Sequence, residues 1–424
     1  MQVKEAAAAA RQAAYALAQL TDGQRNAALG GMAEALRRHA PGIFAANQQD
    51  MRKAEEEKLA FPLLKRLKFD ENKLSDVCAG LSSLAALPDP LGKITLKREL
   101  SPGLDLYRVS CPIGVIGVVF ESRPDALVQI ASLCVKSGNA VLLKGGREAL
   151  GTNRALMEAL LEGGKGILPD GWGALMETRE DVNSMLAEDR SIDLIIPRGS
   201  NAFVRYIMDH TNIPVMGHAD GICHTYVDAS ADVEMAVRVA VDAKTQALAV
   251  CNAMETMLVH RDIAEKFLPV CFAALREKGV ELRGDEGVRR IADCAPATEK
   301  DWETEYLDAI LSVKIVDSVE EAVNHINRYG SHHTDAIIAS DREAQEKFLM
   351  GVDSAGVYVN CSTRFADGYR YGFGAEVGIS TGKLHARGPV GLEGLCTYKY
   401  QLLGSGQTVE DTVTGRIAYT HRDL

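Results

Sequence analysis

The hydrophobic pattern divides the chain into three stretches. Residues 2 to about 85 read as helical, because Ala, Leu, Glu, Gln and Arg dominate them and Leu36, Ile43 and Met51 suggest a packing stripe. Asp22 is a candidate cap for the helix holding Ala27-Ala28-Leu29, and Pro41 suits the first turn of the next. Apolar and polar residues then alternate over 94–100 and 104–109, on either side of Ser101-Pro102-Gly103, which predicts a hairpin. A two-stranded ribbon is marginal alone, so this one must pack on something else. Next come apolar runs separated by helical segments. Strands are predicted at 115–120, 140–144 and 193–197, with helices at about 124–137, 149–163 and 201–210. That rhythm predicts a doubly wound α/β fold. A second α/β region covers about 232–358, a further strand candidate lies at 397–403, and the polar residues 406–424 read as loosely held.

Composition narrows the function classes. The chain has 424 residues, too many for one core, so two or three domains are expected. Its formal charge of −11 argues against a nucleic-acid partner. The nine cysteines are irregularly spaced and form no CxxC pair, which indicates reduced thiols and a cytoplasmic protein. The N-terminus does not read as a signal peptide, and no apolar window predicts a membrane span.

Several segments carry candidate chemistry, each with a plainer reading beside it. Cys251-Asn252 sits between the small-residue segment Thr245–Val250 and the apolar run 257–260, a plausible place for a nucleophilic thiolate. A lone cysteine is more often a small buried hydrophobe. Lys144-Gly145-Gly146-Arg147 ends a strand, where a cation could meet a ribose phosphate, or it is a solvated basic turn. Arg198-Gly199-Ser200-Asn201 leads into a helix N-terminus that could hold an anion, although a plain capped turn is the commoner case. Glu121-Ser122-Arg123-Pro124 closes a buried strand with charge, or serves as a helix cap. His332 and His333 should face opposite sides of a strand and have no evident third ligand nearby, so no metal is assigned. No GxGxxG follows an early strand, and Gly372-Phe373-Gly374-Ala375-Glu376-Val377-Gly378 is read as a glycine-rich loop.

Three of these stretches carry a resemblance: Val250–Thr256, Gly217-His218-Ala219-Asp220-Gly221-Ile222-Cys223-His224, and Ala322–Ile337 with its His-His-Thr-Asp. The chain resembles the gamma-glutamyl phosphate reductase family of the aldehyde dehydrogenase superfamily, from the N-terminus to about residue 405. The resemblance implies an aldehyde-dehydrogenase-like α/β fold. A Rossmann-type NADP-binding domain would span 1–231, with a return segment at about 359–390, and a catalytic domain 232–358. Residues 92–111 and 391–424 would form a β-hairpin oligomerisation flap, hence a homodimer or homotetramer.

Carried over residue by residue, Cys251 matches the nucleophile, Lys144 the lysine at the adenosine ribose, and Gly199 and Ser200 the turn beside the cofactor phosphates. Glu305 matches the glutamate at the nicotinamide ribose, and Gly145 and Arg147 adjoin the lysine. Ser122 stands where an oxyanion-binding asparagine is usual, and Asn252 flanks the nucleophile. Arg123 and Arg364 are candidates for the substrate's anionic groups, Glu121 or Asp220 for its ammonium, and His333 for a further substrate contact. The segment Met216–Gly221 lacks the glutamate that activates water in hydrolytic relatives, which favours hydride over water as the acceptor of a thioester.

The implied reaction is NADPH-dependent reduction of L-glutamyl 5-phosphate to the semialdehyde through a Cys251 thioester, in proline biosynthesis, with a glutamate kinase as a conceivable partner. The alternatives are a hydrolytic NAD(P)-dependent aldehyde dehydrogenase, a nucleotide-independent cysteine hydrolase or acyltransferase, and a non-catalytic scaffold.

Overall fold

The computed structural model describes residues 2–121, 123–218 and 220–424. The chain forms two compact units. One comprises Met1–Met216, Phe373–Gly378 and Val390–Leu424; the other comprises Gly217–Gly372 and Ile379–Pro389. The division falls at 216 rather than 231 because Cys223–Val227 is an inner strand of the second unit's sheet, flanked by Met254–His260 and Thr334–Ile338. Most of 359–390 likewise lies in the second unit.

The first unit opens with helices Val3–Leu17, Asp22–Arg38, Ala40–Glu56, Phe61–Leu67 and Glu71–Ala86. Thr21, not Asp22, caps the second helix: its hydroxyl accepts the Gln24 N–H while the Gln24 side chain accepts the Thr21 N–H. Asp22 instead accepts a hydrogen bond from the fully buried Lys136 Nζ at 2.6 Å. Leu36 and Ile43 are buried and Met51 is half-buried.

Four parallel strands follow, in the spatial order Gly173–Met176, Ala140–Lys144, Val115–Phe120, Leu194–Arg198. All six residues of Val115–Phe120 are buried, as expected for a strand covered on both faces. Helices Pro124–Lys136, Leu150–Gly164 and Asn201–Asp209 alternate with these strands, in the predicted doubly wound pattern.

The hairpin forms as Ile94–Ser101 paired with Leu104–Pro112, turning where Ser101 faces Leu104. Strand Cys396–Leu403 pairs with the second arm from Cys396↔Pro112 to Leu403↔Asp105. The polar tail is not loose: it contains the helix Val409–Val413, and Arg422–Asp423 pairs with the first arm, where Arg98 and Asp423 form an ion pair at 2.6 Å. Asn139 joins this ribbon to the parallel sheet. Its buried amide donates to the Leu395 carbonyl at 2.8 Å and accepts the Gly114 N–H at 2.8 Å.

The second unit holds, among the described residues, a seven-stranded sheet whose order in space runs from Ala295–Pro296 through Glu281–Gly284, Ile310–Val316, Met254–His260, Cys223–Val227 and Thr334–Ile338 to Gly356–Val359. All its pairings are parallel. Successive side chains feed opposite cores. Met257 and Val259 join Phe267, Phe272 and Val313, whereas Leu258 joins Tyr226, Ile337 and Phe348. Among the described residues no helix is long and apolar enough to cross a membrane.

Asn139→Ala should strand the Leu395 carbonyl and the Gly114 N–H, costing about 2 kcal/mol. Chemical denaturation of the variant against the parent checks this.

Candidate active site

The candidate nucleophile lies in a turn between helix Val233–Thr245 and strand Met254–His260, closed by Ala253 N–H donating to the Val250 carbonyl at 3.1 Å. Cys251 is half-buried. Three contacts hold the Cys251-Asn252 turn. Cys223 Sγ lies 3.3 Å from the Cys251 carbonyl, the Asn252 amide donates to the Ala366 carbonyl at 2.8 Å, and the Thr363 hydroxyl donates to the Asn252 carbonyl at 2.7 Å. Gly221 packs so closely that a Cβ there would lie 2.3 Å from the Cys251 carbonyl oxygen. Asn252 therefore braces the turn: its amide N–H is already committed, and its buried Oδ1 has no hydrogen-bond partner among the described residues.

His333 reaches this thiol. Its Nε2 is 3.2 Å from Cys251 Sγ, and its Nδ1 is 3.0 Å from Thr334 Oγ1. The adjacent His332 turns the other way, with Nδ1 donating to the Asp353 carbonyl at 2.6 Å. The reversal occurs at a left-handed residue, since His332 has φ +60°. Burial, reinforced by His218, pushes His333 down to about 3. Its imidazole is therefore neutral at ordinary pH and can accept the thiol proton in a hydrogen bond. Positive charge comes from elsewhere. Buried Arg364 donates through Nε to Gln246 Oε1 at 2.9 Å, and its guanidinium attracts the Cys251 sulfur electrostatically. Burial pushes the thiols of the other eight cysteines upward, so none of them competes as a ready thiolate.

Cys251, Cys223 and His333 all lie at the amino ends of adjacent strands, the opposite end from that where open α/β sheets usually bind ligands. Glu305 sits half-buried in a segment anchored on both sides. The Tyr306 hydroxyl donates to Asp301 at 2.6 Å, and the Leu307 N–H donates to Glu255 at 3.1 Å. Glu255 is paired with Lys244 at 2.6 Å, both side chains fully buried. Burial pushes Glu255 up and Lys244 down, each against the attraction of its partner. Asp220 is half-buried in the same unit.

The other candidates belong to the first unit, at the carboxyl ends of its parallel strands. Lys144 is buried and donates to the Gly145 carbonyl. Burial pushes its ammonium down, against the attraction of Glu148 and Asp181. A Cβ on Gly145 would lie 2.2 Å from Asn153 Nδ2, and the buried Asn153 Oδ1 has no partner among the described residues. Arg147 is exposed and pairs with Glu57 at 3.0 Å. Ser200 makes no side-chain cap on helix Asn201–Asp209; its backbone N–H donates to Glu121. Burial, then the nearby Glu148, pushes Glu121 up. A carboxylate thus rests on this helix N-terminus, and a Cβ on Gly199 would meet it at 3.1 Å. Glu121 therefore belongs with the Gly199-Ser200 turn. Arg123 is exposed at the start of helix Pro124–Lys136, and Ser122 lies outside the described residues.

His218, Cys223, Gly221 and Thr363 were not singled out by sequence reasoning. The sequence sets Gly217–His224 apart as a segment, but its closeness to Cys251 depends on the pairing of Cys223 with Met254.

One unit carries a parallel α/β sheet with Lys144 at a strand end, and the other presents Cys251 in a turn. Comparisons with known proteins give the class. Residues 1–289 match the aldehyde dehydrogenase family model. The gamma-glutamyl phosphate reductase of Acetivibrio thermocellus is 56% identical, covering 100% of this chain and 99% of the relative. That of Cyanothece sp. is 57% identical over 98% of this chain and 96% of the relative. The crystal structure of the Thermotoga maritima gamma-glutamyl phosphate reductase superposes with a TM-score of 0.94, at 40% identity, covering 96% of this chain and 100% of that one. The chain belongs to the aldehyde dehydrogenase family and, within it, to the gamma-glutamyl phosphate reductases. The expected fold class is borne out, and the family's cofactors are NAD(P).

Gly221→Ala should push the Cys251 turn aside while leaving both cores intact. Mass spectrometry of iodoacetamide labelling should show Cys251 alkylated at an altered rate, with unchanged labelling of Cys294.

Proposed function

We propose that this chain reduces L-glutamyl 5-phosphate to L-glutamate 5-semialdehyde with release of phosphate, as a step of proline biosynthesis, using NADPH. The observation that carries the reading is the contact of His333 Nε2 with Cys251 Sγ at 3.2 Å in a chain 56% identical to named gamma-glutamyl phosphate reductases.

The Cys251 thiol hydrogen-bonds to the neutral His333 imidazole, its proton leaves to solvent, and the Arg364 guanidinium stabilises the resulting thiolate. The thiolate attacks the acyl carbon, a C–S bond forms, and the C–O bond to phosphate breaks. This leaves a thioester on Cys251 and free inorganic phosphate. A reduced nicotinamide, when bound, would supply the hydride this thioester needs. Cys251 then leaves as thiolate, its C–S bond breaking to release the aldehyde. Arg364 and Arg123 are offered to the substrate's anionic groups, and Asp220 to its ammonium. Ser122 and the Cys251 backbone N–H are the candidates for the oxyanion.

The residues present suit a dinucleotide: Lys144 ends a strand beside a glycine cradle, Asn153 Oδ1 lacks a partner, and the Glu121 carboxylate stands in for an anion at the Ser200 N–H. Lys144, Gly145, Arg147, Gly199 and Ser200 would hold its phosphates and adenosine ribose, and Glu305 its nicotinamide ribose. No glutamate occurs in Met216–Gly221, so this segment supplies no base to direct water at the thioester.

We also propose a cytoplasmic homodimer or homotetramer formed through the ribbon, where Tyr398, Tyr400, Leu402 and Leu403 are exposed on one strand. A glutamate kinase would supply the labile acyl phosphate.

The reverse reaction tests the activity. Semialdehyde and NADP should give NADPH only when phosphate is added; phosphate-independent turnover would point to a hydrolytic dehydrogenase. Cys251→Ser should keep cofactor affinity within about twofold yet lower turnover by at least about 10⁴-fold. Lys144→Ala should weaken NADPH binding on the order of tenfold and NADH binding far less. Equal losses for the two cofactors would remove the 2′-phosphate role.

A further inference from the structure

No third ligand is evident near His332 and His333 in the sequence; in the fold His332 faces away, and two other donors come to His333. His218, Cys251 and His333 each bring one ligand atom within 4.8 Å of the others. We propose that these three residues form an inhibitory site for a zinc-class divalent cation, a function separate from the reaction proposed above.

The donor set has the right chemistry, since borderline-soft Zn²⁺ favours thiolate sulfur and imidazole nitrogen. The second sphere is also in place. His218 Nδ1–H donates to the Ile379 carbonyl at 2.9 Å, which leaves Nε2 as its lone-pair nitrogen. His333 Nδ1 is engaged with Thr334 Oγ1 at 3.0 Å and its Nε2 faces the sulfur. The two rings are edge-on with centroids 5.1 Å apart, so their nitrogens can converge without stacking. Bonds of about 2.0–2.3 Å require tetrahedral ligands roughly 3.5 Å apart. Cys251 and His333 already meet that spacing at 3.2 Å. The half-buried His218, outside any regular element, has to close by about 1 Å.

Binding replaces the S–H bond with an S–metal bond and releases the proton to solvent. Water takes the fourth position, as in open zinc sites. The sulfur lone pair that would attack the acyl carbon is then in the metal bond, so occupancy blocks the first step. The nearby Arg364 charge disfavours cations without strong thiolate affinity, such as Mg²⁺ and Ca²⁺.

The full-length enzyme, freed of metals and assayed without added thiols, is titrated with ZnCl₂. NADPH oxidation should fall and recover fully with EDTA, while MgCl₂ at the same concentration has no effect. In His218→Gln the inhibition constant should rise on the order of a hundredfold, each variant being referred to its own metal-free rate. His218→Asn serves as the second variant if the first fails to fold by thermal unfolding. Co²⁺ titration needs no turnover and so stands even if the proposed substrate is wrong. It should give a thiolate-to-cobalt charge-transfer band that disappears in Cys251→Ser. Equal zinc inhibition in the parent and the folded His218 variant would overturn the proposal, as would a cobalt band that survives Cys251→Ser.

Discussion

The close approach of two backbones at Gly221 and Cys251 is the constraint on which the candidate site depends. Any side chain at 221 would overlap the Cys251 carbonyl and its Cα. Given that contact, Cys223 can lie against the same carbonyl, and strand Cys223–Val227 can run beside Met254–His260. The turn is then pinned from the far side by Thr363 and the Ala366 carbonyl, which also brings Arg364 into the field of the sulfur. One steric requirement thus links a backbone turn, a sheet register and an electrostatic partner.

The electrostatics of the second unit follow from burial more than from surface charge. Arg364, Lys244, Glu255 and His333 are all buried, and each is displaced from its ordinary value chiefly by desolvation. The Lys244–Glu255 pair accepts that cost and fixes Leu307, two residues beyond Glu305. The imidazole beside Cys251 is kept neutral by the same effect, so it acts as a hydrogen-bond acceptor, while fixed positive charge comes from an arginine that cannot lose its proton. In the first unit, burial acts on Lys144 and Glu121 in a setting where a carboxylate already covers a helix N-terminus.

Most of the architecture could be read from the residues. The all-apolar run Val115–Phe120, the hairpin alternation and the strand at 396–403 were recognisable because each depends on local periodicity. The misreadings have specific causes. Asp22 looks like a cap, but Thr21 has the partner three residues on, and Asp22 is drawn to Lys136, more than a hundred residues away. The polar tail looks loose because its pairing partner is residues 98–99, and a two-residue strand leaves no periodic trace. The site was legible in part. Cys251, Arg364 and His333 could be named one at a time, yet Gly221, which packs on Cys251, and His218, which stands edge-on to His333, could not be seen to belong with them.

Sequence alone therefore determined the α/β class, the ribbon, the candidate nucleophile and the absence of a water-activating glutamate in the expected segment, since each rests on residue identity or short-range pattern. Only the tertiary structure decided which histidine of the pair faces Cys251, that Glu121 covers the Ser200 N–H, and that His218 completes a three-ligand cluster. These outcomes depend on strand register and on residues 30 to more than 100 positions apart meeting at strand ends. No local preference encodes such meetings, because they follow from how the whole sheet is assembled.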